Sequence, residues 1–314
     1  MNINTRKIGI IGAGHVGSHC AFSMLLQGTC DEIVLVDVDK AKAVSQAADC
    51  MDTGIFLPHR TTVRVGEISD LKDMDMVIIS VGKILDEGRL QELKLSVSIV
   101  SEVIPELMKT GFDGLILVIT NPVDIVTYYV QKLSGLPTHR VIGTGTGLDS
   151  ARLKKIISEK INIDPHSVEA YMIGEHGDSQ FAALSSATIG GKLMTQLMKE
   201  KPEIYGSLNF EEISERAAMA GWEVYNGKKS TEFGIACTLT RLVNAIYHDE
   251  KKILPCSAFL NGEYGHSGVY AGVPAVIGKN GIEYIVELPI SDDEKIKLDR
   301  TIGIIKNYAE STGV

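Results

Sequence analysis

The 314-residue chain predicts an α/β protein whose first half is a doubly wound parallel sheet. Two observations predict it. Short β-branched runs alternate with helical stretches through the first half, and those runs are apolar throughout rather than alternating, as strands buried on both faces are. Residues 7–11 predict the first strand and 16–27, apolar at helical spacing, the first helix. The pattern repeats with a strand at 33–36, a helix at 40–51, a strand at 76–81 and a helix at 93–109. Strands at 115–120 and 140–142 complete the set. Repeated βαβ units have right-handed crossovers, so they place helices on both faces of the sheet.

After Asp149 the pattern changes. A helix to about residue 161 is followed by a strand at 168–173 and by helices at 210–225 and 232–248. Short strands between 253 and 286 are separated by glycine turns such as Asn261-Gly262 and Asn280-Gly281, and a helix at 292–309 closes the chain. The expected organisation is a domain at 1–145 and an α+β domain at 146–314. No repeat, low-complexity tract or flexible linker separates them, so the two are expected to pack tightly.

Composition narrows the function. With 44% hydrophobic and 23% charged residues the chain reads as globular rather than disordered. A net charge of -9 would repel nucleic-acid phosphates over most of the surface, leaving small anions as ligands of local arginines. Residues 1–6 are polar and lead straight into a strand, and no apolar span approaches membrane length. The expectation is a cytoplasmic protein with no membrane partner. Cys20, Cys30, Cys50, Cys237 and Cys256 are widely spaced, with no Cys-x-x-Cys pair and no histidine at ligand spacing, which predicts reduced, buried thiols and no metal site.

Gly12-Ala13-Gly14-His15-Val16-Gly17 follows the first strand and opens the first helix. Gly12 permits a tight turn, Gly14 lets the backbone approach a pyrophosphate, and Gly17 lets helix and strand pack closely; the phosphates then meet the helix N-terminus. Asp37 ends the second strand, where an acid would accept hydrogen bonds from ribose hydroxyls and repel a 2′-phosphate. The first half is therefore predicted to be a Rossmann domain binding NAD rather than NADP. The bland alternative is a glycine turn beside an exposed aspartate.

Gly174-Glu175-His176-Gly177-Asp178 supplies a histidine able to give and take a proton near neutral pH, as reversible alcohol and ketone interconversion requires. Two more segments stand out: Thr120-Asn121-Pro122-Val123-Asp124 and the run from Gly143 to Arg152, Gly-Thr-Gly-Thr-Gly-Leu-Asp-Ser-Ala-Arg. Taken in order, the three resemble the lactate and malate dehydrogenase family over nearly the whole chain. Gly88-Arg89-Leu90-Gln91-Glu92-Leu93-Lys94 brings the resemblance closest to L-lactate and L-2-hydroxyisocaproate dehydrogenases.

That resemblance implies roles. His176 is similar to the acid/base that protonates the ketone, and Asp149 to the carboxylate that fixes its tautomer, although an aspartate before Ser150-Ala151-Arg152 could also cap a helix. Arg152 resembles the arginine that grips the substrate carboxylate through two prongs, and Arg89 the lid arginine that polarises the carbonyl. Asn121 resembles the residue that bonds substrate or nicotinamide, and Thr231 the substrate-pocket threonine. Val16, Lys42, Gly82, Thr144 and Ile235 resemble positions beside the dinucleotide. Glu232, between Thr231 and Ile235, is unusual for that segment and would alter pocket polarity.

Malate dehydrogenases place a second arginine in the lid. Here that region offers Ile84 and Leu85, with Lys83 beside them and no evident lactate-type glutamine, so the expected substrate is a 2-oxo acid with an apolar side chain, from pyruvate to 2-oxoisocaproate. Many relatives bind fructose 1,6-bisphosphate through an arginine and a histidine where this chain has Lys154 and Glu169, so activation by that effector is not expected. The resemblance further implies a homotetramer or homodimer. A malate dehydrogenase and a non-catalytic dinucleotide-binding sensor are the competing readings.

Overall fold

The computed structural model describes residues 5–82 and 89–311, with the side chain of Arg89 outside that description. The first half contains β1 (Lys7–Ile11), α1 (His15–Gln27), β2 (Glu32–Val36), α2 (Lys40–Asp52), β3 (Thr62–Val65), β4 (Met76–Ile79), α3 (Arg89–Lys109), β5 (Leu115–Val118), α4 (Val123–Ser134) and β6 (Val141–Gly143). It is followed by α5 (Gly147–Ile161), β7 (Val168–Glu169), β8 (Met172–Ile173), β9 (Phe181–Ala182), β10 (Thr188–Ile189), β11 (Lys192–Leu193), α6 (Met194–Glu200), α7 (Pro202–Tyr205), α8 (Phe210–Lys228) and α9 (Phe233–Tyr247). The hairpin strands β12 (Lys252–Asn261) and β13 (Ser267–Gly278), then β14 (Gly281–Ile285) and α10 (Asp292–Ser311), complete the order.

Nine strands form one sheet in the order β14-β13-β12-β6-β5-β4-β1-β2-β3. The strands from β3 to β6 are parallel, and their order, with β1 and β4 adjacent, is that of a Rossmann domain. The order in which strands are added reverses between β1 and β4, so a crevice opens beyond the carboxyl ends of these parallel strands, where such sheets hold ligands. Strands β4 and β5 end two residues before the predicted 81 and 120. Thr120 then leaves the sheet to accept a bond from Val81 N at 2.9 Å, and the two chain ends flank the crevice.

Several elements differ from expectation. Strand β3 and helix α4 were not anticipated. The first is a four-residue edge strand with a single fully buried residue, and the second is rich in Val, Thr and Tyr, which favour strands when read locally. The single strand predicted at 168–173 is two, β7 and β8, which pair in different small sheets. The strands predicted as short after 253 include two of 10 and 12 residues. They join the Rossmann sheet antiparallel, Ser257 pairing with Gly143, so the sheet continues past residue 145 into the second half.

One apolar core follows this sheet, with Ile8, Ile10, Ile33, Ile78, Leu117 and Val126 nearly or fully buried. A second lies under α5 and α8, around Leu153, Ile157, Met172 and Ile213. Cys20, Cys30, Cys50 and Cys256 are buried, whereas Cys237 on α9 is exposed, contrary to the expectation that all five are buried. Among the described residues no helix is long and apolar enough to cross a membrane.

Candidate active site

The glycine loop between β1 and α1 is shaped by what surrounds each glycine. Gly12 has φ +101°, and a Cβ there would sit 2.1 Å from the Ser80 carbonyl oxygen; at Gly17 it would sit 1.9 Å from the Gly12 carbonyl oxygen. Neither close approach is open to another residue. At Gly14 a Cβ would meet only the Lys42 Nζ, at 3.9 Å, so this side of the loop is open, with a cation at its rim. Val16, half-buried, follows in the first turn of α1. Asp37 accepts from Ala13 N at 2.7 Å and from Asp39 N at 2.9 Å, bracing the loop while keeping lone pairs for a ribose. This cradle fits the diphosphate and ribose of NAD.

Three of the predicted residues come together around Asp149. The His176 Nδ1 lies 2.7 Å from Asp149 Oδ2, and Arg152 donates through Nη1 to Asp149 Oδ1 at 2.9 Å. Asp149 is thus a bridge between imidazole and guanidinium. It is the third residue of α5, which starts at Gly147, so it is not the helix cap that its position before Ser150 suggested. Burial raises its pKa, but the charges and hydrogen bonds of His176 and Arg152 together outweigh that and hold the carboxyl below its usual range. A pKa lowered on folding means that the ionised carboxylate contributes stability at neutral pH, lost as pH falls through the folded-state value.

The loop carrying His176 is anchored residue by residue. Gly174 exchanges backbone bonds with Gly272 of β13, at 2.9 and 2.7 Å; Glu175 N donates to Thr301 Oγ1 of α10 at 3.0 Å; His176 N donates to Asp124 Oδ2 of α4 at 2.7 Å. Asp124 and its partner Ser257 were given no role from sequence. With α4 unread, Asp124 was only the last residue of the segment at 120–124, and no local signal marks Ser257.

Arg152 lines a cavity of about 400 Å³ together with Leu148, Thr231, Glu232 and Gly234. Gly221 on α8 makes room for it, since a Cβ there would lie 3.1 Å from Arg152 Nη1; this glycine too was not singled out. Glu232 is 5% exposed and pairs with Lys228 at 2.5 Å and with Ser230, which tethers the Thr231 segment to the end of α8. Ile235 is half-buried in the first turn of α9. Asn121 is exposed at the end of the β5 segment, joined to Pro122 by a cis peptide, and its carbonyl accepts from Ser96 at 2.9 Å. Gly82 is exposed with φ +105°, and Thr144 is buried with its N–H on the Val118 carbonyl at 2.9 Å. Ile84 and Leu85 lie outside the described residues, and Arg89 begins α3. Lys154 and Glu169 form an ion pair at 3.0 Å.

Family models for the lactate/malate dehydrogenase NAD binding domain and for the lactate/malate dehydrogenase alpha/beta C-terminal domain match residues 6–143 and 146–312. The chain belongs to the lactate/malate dehydrogenase family. It is an NAD-dependent oxidoreductase, and members with similar sequences are L-lactate dehydrogenases. One from Fusobacterium nucleatum subsp. nucleatum is 53% identical over 98% of this chain and 97% of its own length. Among solved members of the family, the ligand-bound minor L-lactate dehydrogenase of Enterococcus mundtii matches with a TM-score of 0.95 at 36% identity over 99% of each chain. The lactate dehydrogenase of Cryptosporidium parvum, complexed with lactic acid and β-nicotinamide adenine dinucleotide, matches with a TM-score of 0.92 at 29% identity over 99% of this chain and 98% of its own.

Proposed function

We propose that the protein is an L-2-hydroxy acid dehydrogenase of the lactate type, reversibly reducing a 2-oxo acid with an apolar side chain. The observation that carries this is Asp149 bonded to both His176 and Arg152, which sets a proton donor and a carboxylate anchor side by side. Asp149 on Nδ1 selects the tautomer and favours imidazolium, leaving Nε2 to give its proton to the ketone oxygen. Arg152 keeps further N–H donors for a substrate carboxylate. Arg89 is assigned to the developing negative charge on the oxygen, with Asn121 and Thr231 orienting the substrate. NADH, when bound, supplies the hydride. During oxidation His176 takes the proton back.

Substrate choice is read from Ile84 and Leu85, which offer no charge to a second carboxylate. Burying one without a partner costs several kcal/mol, so kcat/KM for pyruvate or 2-oxoisocaproate is expected to exceed that for oxaloacetate by about 10²-fold or more. Steady-state NADH oxidation with these three acids measures it. A preference for oxaloacetate would favour the malate reading, and NADH binding without turnover of any acid the sensor. In the same assay fructose 1,6-bisphosphate should leave the apparent KM unchanged, because Glu169, already paired with Lys154, would repel phosphate; a clear fall in KM overturns that.

A homodimer or homotetramer is supported by apolar side chains left in solvent on two faces, Ile55 and Phe56 after α2 and Met219 and Trp222 on α8. Sedimentation velocity reads the mass directly, and a monomer at micromolar concentration contradicts it.

A further inference from the structure

Three successive backbone N–H groups, at Gly174, Glu175 and His176, are tied to three different elements, and only the last is held by a carboxylate. That carboxylate, Asp124, is 1% exposed in the first turn of α4. Its other oxygen accepts from Ser257 Oγ of β12 at 2.5 Å, and Ser257 is itself fully buried. Gly143 opposite leaves the space, since a Cβ there would lie 2.7 Å from the Ser257 Cβ. A buried N–H needs an acceptor, but a neutral one would serve; a carboxylate at this depth adds a desolvation cost that a purely structural tie does not require.

We infer that Asp124, braced by Ser257, is a positioning residue for the reaction: it fixes the main chain of His176 through the backbone N–H and so bonds a second carboxylate to that residue, in addition to Asp149 on the ring. The inference rests on His176 being the acid/base. Burial pushes the Asp124 carboxyl up to about 6, against the bonds from Ser257 and His176 N–H and the charge of His176, while Glu175 on the same loop adds to the rise. It is therefore mostly ionised above that pH and can support the imidazolium through space. It also fixes the backbone from which the ring projects, which helps keep the ring within the narrow geometry that proton transfer needs.

The test is the pH dependence of kcat/KM for pyruvate with NADH in wild type, Asp124→Asn, Ser257→Ala and His176→Asn. Asparagine can still accept from His176 N–H and donate to Ser257 Oγ, so it keeps the tie and removes the charge. Asp124→Asn is expected to lower kcat/KM about tenfold at pH 7.5 and to move the alkaline limb down by on the order of one pH unit, with NADH affinity unchanged. Ser257→Ala should give a smaller loss in the same direction. If Asp124→Asn folds, as thermal unfolding and NADH fluorescence report, and its profile superimposes on wild type while His176→Asn is inactive, the inference is wrong and the acid/base reading stands. If Asp124→Asn does not fold, Ser257→Ala decides, and a wild-type profile overturns the inference. An active His176→Asn removes the reading and the inference together.

Discussion

Replacing His176 with Asn lowers kcat for 2-oxo acid reduction by about 10³-fold, with NADH affinity within about twofold of wild type. The amide has nearly the shape of the imidazole and can still donate to Asp149, so the bridge to Arg152 persists while the proton donor is gone. The loss therefore falls on the chemical step rather than on binding. In wild type the reduction rate should fall as pH rises, because reduction consumes the imidazolium form, and the reverse reaction should show the opposite slope. Stopped-flow NADH consumption under single-turnover conditions checks both. A variant within tenfold of wild type would remove His176 from the mechanism.

Arg152→Lys raises the KM for the 2-oxo acid by about 10²-fold, with a smaller change in kcat. Lysine keeps a positive charge next to Asp149, so the electrostatic support of that buried carboxylate survives. What it loses is the planar fork. The present Arg152 already gives one nitrogen to Asp149 at 2.9 Å, and a two-pronged grip on the substrate requires the remaining donors to be aimed by the same planar group. A compact ammonium cannot hold both anions in those directions. The measurement is a KM and kcat pair for pyruvate; a KM within threefold of wild type would mean that another cation anchors the substrate carboxylate.

How much of this was legible in the chain varies with the range of the signal. The glycine loop could be read because each glycine answers a local demand, and the distances at Gly12 and Gly17 show how tight that demand is. The parallel strands could be read because burial on both faces leaves an unbroken apolar run. Helix α4 could not, because Val, Thr and Tyr favour strands locally and only packing against α3 and the sheet strands β6, β12 and β13 overrides that preference. The split of residues 168–173 into β7 and β8 was equally hidden, since one apolar stretch carries no mark of where its hydrogen bonds change partner.

The residues of the site divide along the same line. His176, Asp149 and Arg152 were named from motifs, because chemistry restricts the residue types that can give a proton or grip a carboxylate. That one carboxylate serves both of the other two, with α5 starting early enough to place Asp149 inside its first turn, is a fact of the fold. Asp124 and Ser257 act on His176 from 52 residues away and from a strand beyond the Rossmann segment, and Gly221 clears space for an arginine on another helix. Residue identity and short-range spacing encode which groups are present and the local turns that hold them. The distances between those groups, and so their charges and proton affinities, come from long-range packing, because a buried carboxylate is stabilised only by partners that the folded chain brings within hydrogen-bonding reach.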